Sequence, residues 1–232
     1  GMMYGFIYEG TYKYEDFDKV GDTYTLKRNV PYLSSESNTQ PGMPKYADLN
    51  GDGIIDDNDR TMIGNGMPKH TGGFTNNFEY KGFDLSIFFQ WSYGNDVLNA
   101  NRLFFENSNK TRDLNQYASY ADRWTPENPE SNIPRATDSG SNKVFSTRII
   151  EDGSFLRLKT VSLGYTLPKQ LTKKWKIDNA RVFVAGQNLW TCTGYSGYDP
   201  EVSIREGALT PGLDFSAYPR AYSISFGINL GF

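Results

Sequence analysis

A chain of 232 residues with 24 Lys and Arg against 27 Asp and Glu has a formal net charge of -3, and its scattered basic residues exclude an electrostatic footprint for nucleic acid. Aromatic residues make up 15% of the chain and 23 glycines accompany a mean hydropathy of -0.60, which suits β-structure with aromatic faces and polar loops rather than a helical bundle. With Cys192 and His70 each alone of its kind, neither an intramolecular disulfide nor a thiolate metal cluster can be assembled, and any imidazole mechanism would run through one residue.

The first strand candidate is Met3–Tyr12, in which Tyr4, Phe6 and Tyr8 alternate. Gly1 before Met2 reads as a cloning remnant. The amino terminus shows no basic region followed by an apolar core, and no run approaches the ~20 apolar residues of a membrane helix. Barrel strands are apolar only at alternate positions, so that test passes over them.

Residues 48–59 (Asp48-Leu49-Asn50-Gly51-Asp52-Gly53-Ile54-Ile55-Asp56-Asp57-Asn58-Asp59) follow the twelve-residue calcium-loop spacing. Asp48, Asn50 and Asp52 supply oxygens at positions one, three and five. Ile54 offers its carbonyl, Asp56 acts through water, and Asp59 closes the loop where a bidentate Glu is usual. A structural Ca2+ in a long outer loop is the expectation. The bland alternative is a solvated turn, because Asn-Gly and Asp-Gly are strong turn dipeptides.

His70 falls in a Gly- and Pro-rich stretch and is read as a loop residue without a catalytic role. Phe74, Phe78 and Tyr80 share a face. Phe83, Leu85, Ile87, Phe89, Trp91 and Tyr93 then follow in strict alternation against a mostly polar opposite face. Only Lys81-Gly82 separates the two runs, so a two-residue hairpin turn pairs Tyr80 with Phe83. A strand of this length and pattern matches the roughly 9–11 residues that cross lipid in a barrel.

Further strands are expected over Phe155–Leu167 and Ala180–Thr191, neither with clean alternation: Leu156 and Leu158 fall on the face opposite Val161, Leu163 and Tyr165. Arg181–Trp190 is partly apolar on both faces, so its lipid side is not assigned. Loop aromatics Tyr120, Trp124, Tyr195 and Tyr198 are candidate ligand-stacking platforms, against the blander expectation that such rings pack locally. The last strand alternates Tyr222, Ile224, Phe226, Ile228, Leu230 and Phe232 with small or polar residues. With Gly227 in place, its final eight residues resemble the terminal targeting signal of outer-membrane barrels.

Long connections (about 13–73, 94–147 and 193–219) alternate with the short turn at Lys81 and the shorter connection 168–179, which places the carboxy terminus on the periplasmic side. The fold class expected is all-β: an antiparallel transmembrane β-barrel fragment of about six strands with long extracellular loops. Six strands are too few to close a barrel, and open edges have no place in lipid, so more chain is required.

Several segments together resemble the carboxy-terminal end of the SusC/RagA-type TonB-dependent transporters of Bacteroidetes outer membranes. They are Tyr46–Gly53, Tyr80–Ser86, Phe155–Tyr165, Gly186–Leu189, Tyr195–Glu201 and the terminal strand, recurring in order across nearly the whole chain. The resemblance implies residues 1–232 as the carboxy-terminal part of a receptor barrel, with plug domain and TonB box upstream. It implies import of glycans or peptides in the bacterial outer membrane, a SusD-like surface lipoprotein as lid and the TonB complex as energy source. A fragment of this kind does not transport alone and carries no enzyme active site. The rival reading is a soluble, secreted, calcium-stabilised β-domain that binds glycans. A glycosidase ranks last, since no pair of carboxylates can be chosen from the sequence.

Overall fold

The Lys81-Gly82 turn sets the register of everything around it. Both residues lie at positive φ (48° and 88°), the conformation that a two-residue hairpin matching strand twist requires, and Tyr80 pairs with Phe83 as the spacing predicts. The computed structural model describes residues 1–33, 35–107, 115–137, 144–201, 203–204 and 210–232, so parts of the long connections lie outside the described residues. The chain divides into two compact units, one of Met67–Asn95, Asp152–Val202 and Tyr218–Phe232, the other of Gly1–Gly66, Asp96–Glu151 and Ser203–Ala217.

The first of these units is an antiparallel five-stranded sheet of β1 (His70–Tyr80), β2 (Phe83–Tyr93), β3 (Phe155–Thr166), β4 (Asn179–Thr193) and β5 (Ser223–Gly231). The spatial order is β5-β4-β3-β2-β1, each strand beside its sequence neighbour, and among the described residues neither edge strand has a further partner. Phe232 emerges at the same end as the Lys81-Gly82 turn and the 167–178 connection, because Asn179 pairs with Gly231 and Phe83 with Tyr165.

Register settles the two strands whose alternation is unclear in the sequence. Between Leu158 and Thr160 the pairing slips by one residue against β2, and Lys159 is the extra residue of a β-bulge. Leu156 and Leu158 therefore face the same way as Val161, Leu163 and Tyr165, opposite Trp91, Phe89, Ile87, Leu85 and Phe83. In β4 the pairs Gln187–Thr160 and Trp190–Leu158 enclose Asn188 and Leu189 against Lys159 alone. Asn188 takes positive φ (51°) to make that step. Val182, Val184, Trp190 and Cys192 thus join the apolar face, continued by Ile224, Phe226, Ile228 and Leu230 of β5.

This face is exposed, with Phe78 at 58%, Ile228 at 67% and Phe226 at 81%. A contiguous apolar surface spanning five strands is what lipid covers. The opposite face carries Thr71, Thr75 and Asn77, then Ser86 and Gln90, Thr160 and Ser162, Gln187, and Ser223, Ser225 and Asn229. Three glycines there and on the apolar side seat aromatic rings: a Cβ at Gly72, Gly73 or Gly227 would collide with Trp91, Phe88 or Phe183.

The fold class is the one expected, with one strand placed differently. Met3–Tyr12 does not extend the large sheet. It splits into Met2–Gly5, paired with Thr61–Asn65, and Tyr8–Thr11, paired with Pro44–Tyr46, both in the second unit. The break falls at Phe6, whose ring turns into a core with Tyr46 and Ile55 and so cannot stay on an exposed face. A neighbouring core gathers Tyr12, Phe17 and Leu26 between the hairpin strands Phe17–Val20 and Thr23–Leu26. A further small sheet sets Asp96–Asn99 between Ile150–Asp152 and Leu213–Asp214.

Candidate functional site

On the polar face, strand pairing puts Asp84 opposite Gly164 and Gly164 opposite Phe183. From its place on β4 the Arg181 guanidinium crosses Gly164 to the Asp84 carboxylate, Nε to Oδ1 at 2.9 Å, with Nη2 on Oδ2. A two-pronged pair of this kind fixes orientation as well as charge. Sequence reasoning passed over both residues. The available signal was that each stands on the polar side of an otherwise apolar strand.

A second ionic group ties the ends of the 194–222 connection to β3. Arg157, its side chain 3% exposed, donates to Asp199 and reaches Glu201 Oε2 at 3.2 Å, which Arg220 Nε also approaches at 3.2 Å. The Arg220 amide donates to Asp199 Oδ2 at 3.1 Å and the Glu201 amide to Asp199 Oδ1 at 2.9 Å. Burial pushes the Asp199 carboxyl up, but Arg157 and these amides hold it below its ordinary value. The sequence signal was an arginine between Leu156 and Leu158, where the bulge turns it to the polar face.

Of the four loop aromatics, Tyr120, Trp124 and Tyr195 are buried, while Tyr198 is 84% exposed. The first three pack locally, Trp124 against Tyr14 and Arg135, Tyr120 under Arg123, and Tyr195 over Gly197. As free platforms those three are corrected, because burial leaves no face for a ligand to stack on. His70, expected in a loop, opens β1 instead. Its Nδ1 accepts from Trp91 Nε1 at 3.1 Å and its ring stacks on Tyr93, as part of an aromatic rim.

The 48–59 loop is held by its own side chains. Asp48 accepts from the amides of Gly51 and Gly53, Asn50 from Asp52, Asp52 from Ile54, and Asp56 from Asn58. Gly51 and Gly53 take positive φ to bring those amides round. Asp59 is fully buried and accepts from Leu49, Asn50 and Asp56. Its burial raises the carboxyl, but the three amides outweigh that and its acidity is increased. Among the described residues, no three His, Cys, Asp or Glu side chains stand around one point as a metal cage.

Ile224, Phe226 and Leu230 are on the apolar face and Gly227 lies under Phe183 on the other, with Tyr222 and Phe232 flanking β5.

No family model matches the chain. It is 35% identical over 239 residues to TonB-dependent receptor P3 of Formosa agariphila, an alignment covering 100% of this chain and 22% of that protein. It is 39% identical over 197 residues to TonB-dependent receptor P26 of the same organism, with 82% and 20% covered. To the TonB-dependent receptor SusC of Bacteroides thetaiotaomicron it is 28% identical, with 85% and 18% covered. Among solved structures, the RagAB peptide transporter superposes with a TM-score of 0.76 at 26% identity, over 100% of this chain and 22% of that one. The chain spans about a fifth of the length of the curated relatives it matches. An open sheet with one lipid-type face, unable to close by itself, is what a piece of a larger barrel looks like, and the chain belongs to the SusC/RagA-type TonB-dependent receptors.

Proposed function

We propose that the protein containing this chain works in the bacterial outer membrane as a TonB-dependent importer of an oligosaccharide or peptide, and that this chain supplies part of its barrel wall. The observation that carries the reading is the two-faced sheet: five adjacent strands are apolar on one side and polar on the other, with both edges unpaired among the described residues. Unpaired strand edges are untenable in lipid, so other strands close the barrel and its polar side faces a passage. The RagAB neighbour is a peptide transporter, which supports import of polymer fragments rather than of ions. A plug domain, the TonB complex and a SusD-like surface lipoprotein are the proposed partners. The shared end of Phe232 and the Lys81-Gly82 turn supports a periplasmic carboxy terminus.

The 48–59 loop is proposed to take Ca2+ as a structural clip. Spacing supports this, whereas the side chains as arranged make a self-capped turn, so the ion would use lone pairs that the amides leave free on Asp48, Asn50 and Asp52.

Fractionating native membranes tests the main reading. A heat-modifiable outer-membrane band far larger than 26.3 kDa, detected by antibody to residues 193–219, is expected. A soluble band of 26.3 kDa would instead favour a secreted calcium-stabilised β-domain.

A further inference from the structure

We propose that the loop unit carries a subsite for a neutral hexose unit of an oligosaccharide, in a cavity of about 420 Å³ walled by the rings of Tyr14 and Tyr24, with the buried Trp124 among its lining residues. The proposal deepens the import reading and rests on it. Three ordered segments build this cavity. Trp124 is fixed by its amide to the Ile133 carbonyl at 2.8 Å, and the Arg135 amide donates to the Gly42 carbonyl at 2.8 Å. Gly42 in turn donates to the Tyr12 carbonyl. Gly42 takes positive φ (82°) and a Cβ there would strike the Trp124 indole, so the backbone can approach the ring only without a side chain.

Ring chemistry selects a sugar. Tyr14 is centred 5.1 Å from Tyr24 and 5.5 Å from Trp124, and both tyrosines are half-buried, leaving ring surface toward the cavity they line. Flat aromatic surface suits the axial C–H face of a pyranose. Around it stand side chains with planar, two-pronged ends, Asp22, Gln40 and Arg135, which match pairs of vicinal hydroxyls. Arg135 Nη1 donates to Gln40 Oε1 at 3.2 Å, which holds both groups in place and leaves the Gln40 amide nitrogen to donate onward. One carboxylate and one guanidinium cancel among the lining residues, so the cavity offers no surplus charge to a uronic acid or a peptide terminus. The Trp124 indole N–H is buried with no partner among the described residues, a donor that a closely held acceptor would satisfy.

The test titrates the full-length receptor in detergent with malto-, isomalto-, cello-, manno- and laminari-hexaose, by calorimetry, in wild type and in the Tyr14→Ala, Tyr24→Ala and Gln40→Ala variants. We expect one of these sugars to bind and each variant to weaken it by about fivefold or more, with Tyr24→Phe close to wild type. Tyr218→Ala, a 90% exposed tyrosine outside the cavity, should bind as wild type does. Gln40 is exposed, so its variant tests the site even if a tyrosine variant fails to fold. Sugar binding indifferent to all three variants, binding of a tetra-alanine peptide lost in the same variants, or no binding of any of the five sugars would each overturn the subsite. A heat-modifiable outer-membrane band would survive those outcomes, so failure of the subsite is separable from failure of the import reading.

Discussion

Arg181 on β4 reaches Asp84 on β2 by passing directly over Gly164 on β3, so one ion pair clasps three strands at a position where the middle strand has no side chain. A Cβ at position 164 would overlap the guanidinium and sit 2.5 Å from Asp84 Oδ1. Gly164→Val is therefore expected to displace the clasp and destabilise the barrel wall by about 1–3 kcal/mol through overpacking. Asp84→Asn keeps the shape and should cost much less. The temperature at which the folded receptor band shifts in a denaturing gel measures both. Equal shifts for the two variants would mean that charge, not space, governs the position.

The apolar side of β5 sets a second expectation. Phe226 and Ile228 pair with Val184 and Val182 and are largely exposed on the lipid-type face, whereas Ser225 points to the polar side. Lysine at 226 is expected to destabilise insertion by about 2–4 kcal/mol if that position lies near the bilayer midplane. Lysine at 225 should leave it nearly unchanged. Folding yield into lipid vesicles decides this, and equal yields would mean that the face does not meet lipid.

How far the sequence is legible depends on where the period breaks. On β2 and β5 the alternation is unbroken, and composition alone shows which side is apolar. On β3 and β4 the inserted residues at Lys159 and Asn188 shift the phase by one, so identical chemistry reads as two-faced until strand pairing is known. Met3–Tyr12 shows the opposite error: its alternation is real, but Phe6 belongs to a loop core. Loop aromatics were visible as a residue type only. Whether a ring is platform or core depends on segments far apart in sequence, as Tyr14, Tyr24 and Trp124 demonstrate.

Acid should weaken the anchor of the 194–222 connection in a defined window. Asp199 is held below its ordinary value of 3.8, because Arg157 and the amides of Glu201 and Arg220 outweigh the effect of burial. A carboxyl whose folded pKa lies below its unfolded one contributes fully above the unfolded value and loses that contribution as pH falls through the folded one. Thermal stability of the receptor should be flat from neutral pH to about 5 and then fall, and Asp199→Asn should flatten the fall. Arg157→Met strands two carboxylates and is expected to cost about 3 kcal/mol, partly recovered by adding Asp199→Asn. A double variant no more stable than the single would show that the pair is not coupled.

Asp59 and Asp52 separate folding of the 48–59 loop from its proposed cation. Asp59 is buried and takes three backbone amides, so Asp59→Ala leaves those donors unpaired and should destabilise the loop whether or not Ca2+ is present. Asp52 is exposed and accepts from two local donors, the Ile54 amide and the Asn50 side-chain amide, both near solvent, so Asp52→Ala should matter little in chelator. If the loop takes Ca2+, millimolar Ca2+ should protect wild type from proteolysis within residues 48–59, and Asp52→Ala should lose that protection while matching wild type in chelator. Protection by Ca2+ that persists in Asp52→Ala would remove the loop as its origin. No protection in wild type would leave the self-capped turn, held by Asp59, as the whole of its design.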